Sequence, residues 1–342
     1  MDAREAMFWR PTEDGQVACE LCAQLCTLHD GRYGLCGARR AAGGKLHAVG
    51  YGRLVAANVD PIEKKPLFHF QPGSRSFSVA TRGCNLRCDF CQNFSISQDR
   101  AHDDDGMLEG EYVPPERIVE RAAAAGCASI SYTYTEPTVF YEYCRDVGVL
   151  ARAEGLANCF VTNGMMMPAV ADDAAASFLD GANVDLKSFS EEFYRSYCKG
   201  SLAAVLRSIE RMVERGIWVE VTTLVIPGRN DSEREIREIA RRLASLRRDL
   251  PWHLSRFHPD FRAQDVPPTP ASTLLRAREI GLAEGLLHVY VGNLRTEEGQ
   301  STMCTGCGAL LIERAGFSAA VHKLSGGRCT ECGLALAGWR LP

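Results

Sequence analysis

Cysteine spacing is the clearest sign of chemistry in this chain of 342 residues. Most of the 15 cysteines fall in three clusters: Cys19, Cys22, Cys26 and Cys36; Cys84, Cys88 and Cys91; and Cys304, Cys307, Cys329 and Cys332. Four others are isolated among apolar or helical residues, where a lone cysteine is usually a small buried hydrophobe: Cys127, Cys144, Cys159 and Cys198. We single out Cys198 for its position shortly after the DLK motif (185–187). Clusters with these spacings indicate metal binding.

The middle cluster places three thiols within eight residues, in the sequence CNLRCDFC (84–91). No fourth Cys or His follows nearby to complete a tetrahedral zinc site. A [4Fe–4S] cluster held by three thiolates leaves one iron free to bind a substrate or cofactor. The alternatives are an incomplete zinc knuckle or three buried thiols.

The first cluster offers a full set of four thiolates, with glycines between them that allow a tight loop. His29 could replace one of the cysteines. This spacing fits structural zinc, and it equally fits a second, closed iron–sulfur cluster that passes electrons or contacts substrate.

The last cluster consists of two matched CxxCG knuckles separated by an apolar stretch, ALLIERAGF (309–317). Paired knuckles predict a mononuclear four-thiolate site of the zinc-ribbon or rubredoxin kind. Their spacing does not choose between zinc and iron.

The residues between 75 and 293 alternate β-rich apolar runs with helical patterns, as βα units of a parallel sheet do. Helices are predicted to start at Pro114-Pro115-Glu116 and at Ser232, which has Glu235 three residues on. The predicted strands are FSVAT (77–81), SISYTY (129–134), NCFVT (158–162), ANVDLK (182–187), WVEVTTLVI (218–226), WHLSRF (252–257) and HVYV (288–291).

Polar motifs follow six of these strands: the three-Cys loop, TEP, NG, PGRND, HP and GN. In the remaining strand, ANVDLK, Asp185 and Lys187 form the carboxyl end itself. Parallel α/β folds place their sites at the carboxyl ends of the strands. We therefore predict an α/β fold with a partial (β/α) barrel of the TIM type. A doubly wound open sheet is the alternative.

The charge balance is mildly acidic, with 39 Lys plus Arg against 43 Asp plus Glu and a net charge of −4. It gives no electrostatic footprint for nucleic acid or an anionic membrane surface. No signal peptide or transmembrane run stands out, so we expect a cytoplasmic protein. Reduced thiols in that compartment favour metal over disulfides.

The loop CNLRCDFC resembles the signature of the radical S-adenosylmethionine (SAM) superfamily. The resemblance implies that the open iron of a [4Fe–4S] cluster binds SAM through its amino and carboxylate groups. One electron would then cleave SAM to methionine and a 5′-deoxyadenosyl radical, which abstracts hydrogen from a substrate.

The same resemblance assigns roles to residues after the later strands. Glu136, in TEP, would accept the SAM ammonium. Asn163, Asp185 and Lys187 match the pattern of glycyl radical enzyme activases, in which the aspartate and lysine contact the amino acid end of SAM. Val161 stands where an acid would complete a cation site. The alternatives without a role in cofactor binding are a helix cap for Glu136 and a buried ion pair for Asp185 and Lys187.

A longer string of motifs is similar to the radical SAM member of the AmmeMemoRadiSam system, a family related to pyruvate formate-lyase activases. It includes DPIEKKPLFHFQPG (60–73), YTYTEPT (132–138), DLKSF (185–189), TTLVIPGRNDS (222–232), PWHLSRFHPD (251–260) and YVGN (290–293). This resemblance implies AMMECR1-like and Memo-like partners or a protein substrate, and a flavodoxin or ferredoxin as electron donor.

These observations predict three parts: a four-Cys segment (1–50), a radical SAM barrel (51–300) and a four-Cys knuckle domain (301–342). The expected activity is hydrogen abstraction from an unidentified substrate. The alternatives are a glycyl radical enzyme activase and a non-catalytic metal-binding adaptor.

Overall fold

The computed structural model describes residues 4–294, 296 and 298–342. Its N-terminal part consists of short strands in two antiparallel sheets, ordered β1-β6-β5 and β2-β3-β4. The first two cysteines lie at and just after the end of β3, and the fourth precedes β5. The strands are β1 (Arg4–Glu5), β2 (Trp9–Pro11), β3 (Val17–Cys19), β4 (Thr27–Leu28), β5 (Arg39–Ala42) and β6 (Lys45–Ala48).

A sheet of nine strands forms the centre of the molecule, in the order β15-β14-β13-β12-β11-β10-β8-β7-β9. Seven of them, β8 and β10 to β15, run parallel, whereas β7 pairs antiparallel with both β8 and β9. The strands are β7 (Arg53–Pro61), β8 (Arg75–Thr81), β9 (Glu111–Tyr112), β10 (Ser129–Tyr132), β11 (Ala157–Thr162), β12 (Gly181–Asp185), β13 (Trp218–Val225), β14 (Trp252–Arg256) and β15 (Val289–Gly292).

Helices connect the parallel strands, and their starts follow local chemistry. Pro115 occupies the first turn of α2, and the Ser232 hydroxyl caps α7 by accepting a hydrogen bond from the Glu235 N–H at 3.3 Å. The helices are α1 (Phe94–Ser97), α2 (Pro115–Ala124), α3 (Tyr141–Ala153), α4 (Pro168–Ser177), α5 (Glu191–Phe193), α6 (Leu202–Glu214), α7 (Glu233–Leu246) and α8 (Ala271–Ala283).

The parallel strands follow one another in chain order without a reversal. Crossovers between parallel strands are right-handed, so an unreversed order places the connecting helices on one face of the sheet. A doubly wound sheet requires a reversal of strand order, at which its ligand binds. The structure therefore has the predicted partial-barrel α/β fold.

The C-terminal residues form two small antiparallel sheets with a core of their own. Its buried side chains include Leu311, Ile312 and Leu324 together with Cys304 and Cys329. The strands are β16 (Thr302–Met303), β17 (Leu310–Ala315), β18 (Ser318–Val321), β19 (Leu324–Ser325) and β20 (Arg328–Cys329).

This C-terminal unit packs against the barrel through buried and partly buried side chains. Arg314 of β17 donates to the Phe68 carbonyl at 2.6 Å, and its guanidinium lies 4.1 Å from the centre of the Phe68 ring. Trp339 stacks on Phe70 with ring centres 4.3 Å apart. In the part of the chain that the structure describes, no helix has the length and apolarity needed to span a membrane.

Candidate active site

The three-Cys loop begins directly after β8 and lies at the carboxyl ends of the parallel strands. Cys84, Cys88 and Cys91 all line one cavity of about 820 Å³. The same cavity is lined by residues from the ends of the next strands, among them Glu136, Asn163, Asp185 and Lys187. The structure thus brings together all the residues that the sequence assigned to this site.

Two thiols of the loop, Cys84 and Cys91, have a polar neighbour that can stabilise the thiolate. The Leu86 N–H donates to Cys84 Sγ at 3.4 Å, and Ser97 Oγ lies 3.0 Å from Cys91 Sγ. Burial raises the pKa of Cys84 and Cys91 above the usual range of a thiol. A metal ion or cluster that binds here must displace these protons, and three buried thiols open to a cavity fit a cluster with one free iron.

Cys198, at the end of a π-helical turn (Tyr194–Cys198), is fully buried beside this loop. Its carbonyl accepts a hydrogen bond from the Arg87 N–H at 2.8 Å. A hydrogen bond to the Cys198 thiol, together with burial, raises the pKa of Cys88. Cys198 therefore borders the three-Cys loop, although it is remote from it in sequence.

Glu136 occupies the centre of a buried hydrogen-bond network. Its Oε1 accepts from the N–H and hydroxyl of Thr138 at 3.0 and 2.5 Å, and from Thr162 Oγ1 at 2.7 Å. Among the described residues, its Oε2 accepts one hydrogen bond, from the Asn163 N–H at 2.7 Å. Burial raises the pKa of Glu136, although these hydrogen bonds oppose the shift. Glu136 caps the turn at 137–140, and its Oε2 retains acceptor capacity at the cavity.

Asn163 links Glu136 to the three-Cys loop. Its Nδ2 donates to Asn85 Oδ1 at 2.8 Å and lies 3.6 Å from Cys84 Sγ. Asn85 is a residue that the sequence analysis missed. Its position between two of the loop cysteines is the only local signal that could have indicated it.

Asp185 and Lys187 form an ion pair at the end of β12, with Nζ and Oδ2 2.8 Å apart. Burial alone would lower the pKa of Lys187, but Asp185 and the nearby Cys88 and Cys198 raise it well above its usual value. Lys187 is therefore a charged ammonium at the cavity wall. The ion pair anticipated as the structural alternative is present, but it is only partly buried and it faces the cavity.

A second cationic wall of the cavity comes from the segment after β7. Lys64 and Lys65 both line the cavity, and both donate to Asp60, at 2.8 and 2.6 Å. Lys65 Nζ also lies 4.5 Å from the centre of the Tyr134 ring. The consecutive lysines of IEKKP (62–66) were the available signal for these residues in the sequence.

The four C-terminal thiols converge on a single point. Their four sulfur atoms all lie within 4.8 Å of one another, and no other group of three or more possible metal ligands in the described part of the chain is as close together. Cys304 and Cys332 Sγ are 3.5 Å apart, and Cys307 and Cys329 Sγ are 3.7 Å apart. Four sulfurs at about 2.3 Å from one tetrahedral metal lie about 3.8 Å apart. The group fits one zinc or iron ion.

The four N-terminal thiols surround a separate small cavity. Arg39 and Asn85 line the same cavity, whereas His29 is exposed and does not line it. The predicted replacement of a cysteine by His29 is therefore not supported by its position.

Comparison with known proteins agrees with this site. A family model described as "Radical SAM superfamily" matches residues 78–243. The chain is 43% identical over 333 residues to the uncharacterized protein MJ0808 of Methanocaldococcus jannaschii, covering 96% of this chain and 98% of that protein. It is 26% identical over 157 residues to the GTP 3′,8-cyclase of Clostridium perfringens, covering 45% of this chain and 47% of that enzyme.

Among solved structures, SuiB of Streptococcus suis bound to S-adenosylmethionine matches with a TM-score of 0.51 and 14% identity, covering 71% of this chain and 56% of that one. At this identity the match shows a shared fold. The chain belongs to the radical SAM superfamily. Membership implies a [4Fe–4S] cluster and SAM as cofactors, and the three thiols at the large cavity fit that cluster.

Proposed function

We propose that the protein is an enzyme that cleaves SAM reductively and abstracts hydrogen from a substrate held in the large cavity. The observation that carries the proposal is the convergence of three thiols, one carboxylate and one ion pair on that cavity. When bound, a [4Fe–4S] cluster and SAM supply the 5′-deoxyadenosyl radical; the chain holds both in place and excludes water.

The roles of the chain follow from its contacts. Cys84, Cys88 and Cys91 hold the cluster, and the Leu86 N–H stabilises one thiolate. Glu136 Oε2 offers an acceptor to the ammonium of SAM, and Lys187 offers a cation to its carboxylate. With Val161 at the cavity wall, there is no acid at this position to hold a monovalent cation.

The rest of the cavity is available for the substrate. Lys64, Lys65 and Tyr134 line one side, and the tip of the β17–β18 hairpin, at Phe317, lines another. The C-terminal unit thus contributes to the substrate space. A flavodoxin- or ferredoxin-type protein would supply the electron, and AMMECR1-like and Memo-like proteins stay the partners predicted from the sequence resemblance.

The proposal is tested by replacing Cys84, Cys88 and Cys91 together with alanine. After anaerobic reconstitution, the wild type reduced with dithionite should convert SAM to methionine and 5′-deoxyadenosine. The triple variant should fall to background, because no thiolate is left to hold the cluster. Cys127→Ala, a buried thiol outside the three clusters, is the matched control and should keep full activity.

Formation of 5′-deoxyadenosine by the triple variant would show that the loop is not the catalytic centre. A wild type that binds only colourless metal and leaves SAM intact would favour the non-catalytic adaptor. A glycyl radical formed on a partner protein would identify the enzyme as an activase.

A further inference from the structure

The N-terminal and C-terminal thiols differ in the spacing of their sulfur atoms. All four C-terminal thiols lie within 4.8 Å of one another, whereas no three of Cys19, Cys22, Cys26 and Cys36, all described, meet that spacing. One tetrahedral metal requires sulfurs about 3.8 Å apart. The N-terminal thiols are therefore too widely spread for a single ion.

The catalytic thiols provide an internal reference for this spacing. The sulfur atoms of Cys84, Cys88 and Cys91 likewise do not all lie within 4.8 Å of one another, and these residues are the ligands of a polynuclear cluster in the proposed function. A cluster attaches thiolates to different irons, so its ligands lie further apart than those of one ion. The N-terminal thiols share this wider arrangement, and they surround a common cavity.

Two buried nitrogen atoms at this cavity lack a hydrogen-bond partner among the described residues. They are Arg39 Nε and Asn85 Nδ2, and each of these two residues is 1% exposed. A buried donor without an acceptor costs about 1–3 kcal/mol, so native proteins rarely leave one unpaired. The Cys22 sulfur lies beside Asn85. The sulfur atoms of a bound anionic group, thiolate or sulfide, would supply acceptors for both nitrogens.

We propose that Cys19, Cys22, Cys26 and Cys36 bind a closed polynuclear iron–sulfur cluster that passes electrons to the catalytic cluster. Four thiolates complete the coordination of such a cluster, so it offers no open iron to SAM. The binding of this cluster is independent of SAM cleavage. The electron transfer rests on the proposed function, because it requires the catalytic cluster as acceptor.

The contacts between the two sites are direct. Asn85 lies beside the Cys22 thiol and follows Cys84 in the chain. Arg100 lies close enough to both Cys36 and Cys84 to interact electrostatically with each. A methyl group added to Gly83 would come within 2.5 Å of the Cys36 carbonyl oxygen, so the two loops touch.

The redox balance involves one electron at each step. A flavodoxin- or ferredoxin-type donor, or dithionite, gives one electron to the N-terminal cluster. That cluster is then oxidised again as it reduces the catalytic cluster. No atom is transferred and no bond is broken between the two sites.

The experiment uses the full chain carrying Cys84→Ala, Cys88→Ala and Cys91→Ala, reconstituted anaerobically with iron and sulfide. We expect about two to four irons and an equal number of acid-labile sulfides per chain, beyond any metal of the C-terminal site. Adding Cys22→Ala and Cys36→Ala should remove that sulfide. Zinc without labile sulfide in the first variant would overturn the proposal.

Acid-labile sulfide is the decisive quantity, because a mononuclear iron at the C-terminal site brings none. If the triple variant does not fold, the wild type serves instead: more than four sulfides per chain support a second cluster, and four or fewer contradict it. The two proposals can fail separately. A wild type that does not cleave SAM, together with a triple variant that retains the N-terminal sulfide, would contradict the proposed function and support this proposal.

Electron paramagnetic resonance of the fully reduced wild type tests the transfer. Two adjacent paramagnetic clusters should broaden each other's signals, and this broadening should vanish in the triple variant. Two unbroadened signals in the wild type would rule out close contact and the electron transfer with it.

Discussion

The two four-Cys regions have the same number of ligands and differ in almost everything else. In the N-terminal region, Cys19 and Cys36 belong to the main hydrophobic core, 7% and 9% exposed. In the C-terminal region, Cys307 and Cys332 are exposed, and the buried ligands belong to a separate small core. Two regions with the same number of cysteines therefore differ in the spacing of their sulfur atoms and in how they are packed.

The N-terminal region is joined to the barrel by a buried ion pair. Arg39 Nη2 donates to both carboxylate oxygens of Glu142 on α3, at 2.6 and 2.9 Å, and both side chains are almost fully buried. Since the same guanidinium borders the four N-terminal thiols, these thiols and the barrel share one charged residue.

The C-terminal unit is joined to the barrel by a chain of neutral and charged groups. Arg314 donates to Thr302 Oγ1, which lies 2.7 Å from the Tyr290 hydroxyl. That hydroxyl lies 2.6 Å from His69 Nε2, and His69 Nδ1 lies 2.8 Å from the Ala337 carbonyl. A carbonyl can only accept, so Nδ1 carries a proton. Burial lowers the pKa of His69 well below 6.5, so at neutral pH the ring is uncharged and Nε2 accepts from the Tyr290 hydroxyl.

Breaking the ion pair should have the largest effect. Arg39→Met leaves the Glu142 carboxylate buried without its cation, and we expect the free energy of unfolding of the whole protein to fall by about 3–5 kcal/mol. Urea denaturation measures this loss. The matched control is Arg10→Met, which removes an exposed pair with Glu20 and should cost about 0–1 kcal/mol. Equal losses would show that the N-terminal region is not part of the main core.

Acid should weaken the C-terminal junction. Burial lowers the pKa of His288 to about 4 and that of the adjacent His69 well below 6.5, with ring centres 4.5 Å apart. Between about pH 6.5 and pH 4, the unfolded chain binds protons that the folded chain does not, so stability falls as the pH falls. His288 alone contributes about 3 kcal/mol to this loss.

The measurement is urea denaturation at pH 7 and pH 4.5, combined with hydrogen exchange. Amides of β17 should exchange faster in acid before those of β5 do. His288→Gln should flatten the pH dependence, and an unchanged slope in this variant would contradict the assignment.

A smaller effect is expected at the contact between the two sulfur-rich loops. Gly83 has a φ of +98°, and an added Cβ would lie 2.5 Å from the Cys36 carbonyl oxygen, so Gly83→Ala should cost about 1–3 kcal/mol. In the control Gly34→Ala, the new Cβ would lie 3.8 Å from the Cys36 sulfur, an ordinary contact. Thermal unfolding compares the two variants, and equal melting temperatures would show that the loops do not press on each other.

Local sequence patterns were enough to predict the parallel strands and the fold class. Each predicted parallel strand appears within a few residues of its expected bounds, because a run of apolar β-formers followed by a polar turn is a local property. The antiparallel strand β7 was not predicted, because its residues 57–59 are exposed and carry no apolar run. The predicted helix start at Ser232 is also local, and it is present.

The tertiary structure alone decided what surrounds the candidate site residues. Glu136 receives hydrogen bonds from a neighbouring strand end, and Cys88 meets Cys198 over a long stretch of chain. The distances among the sulfur atoms could not be predicted from the sequence either, since each end of the chain carries four cysteines that include a CxxC pair. Such distances depend on loop backbone and on packing against remote elements, which no local pattern encodes.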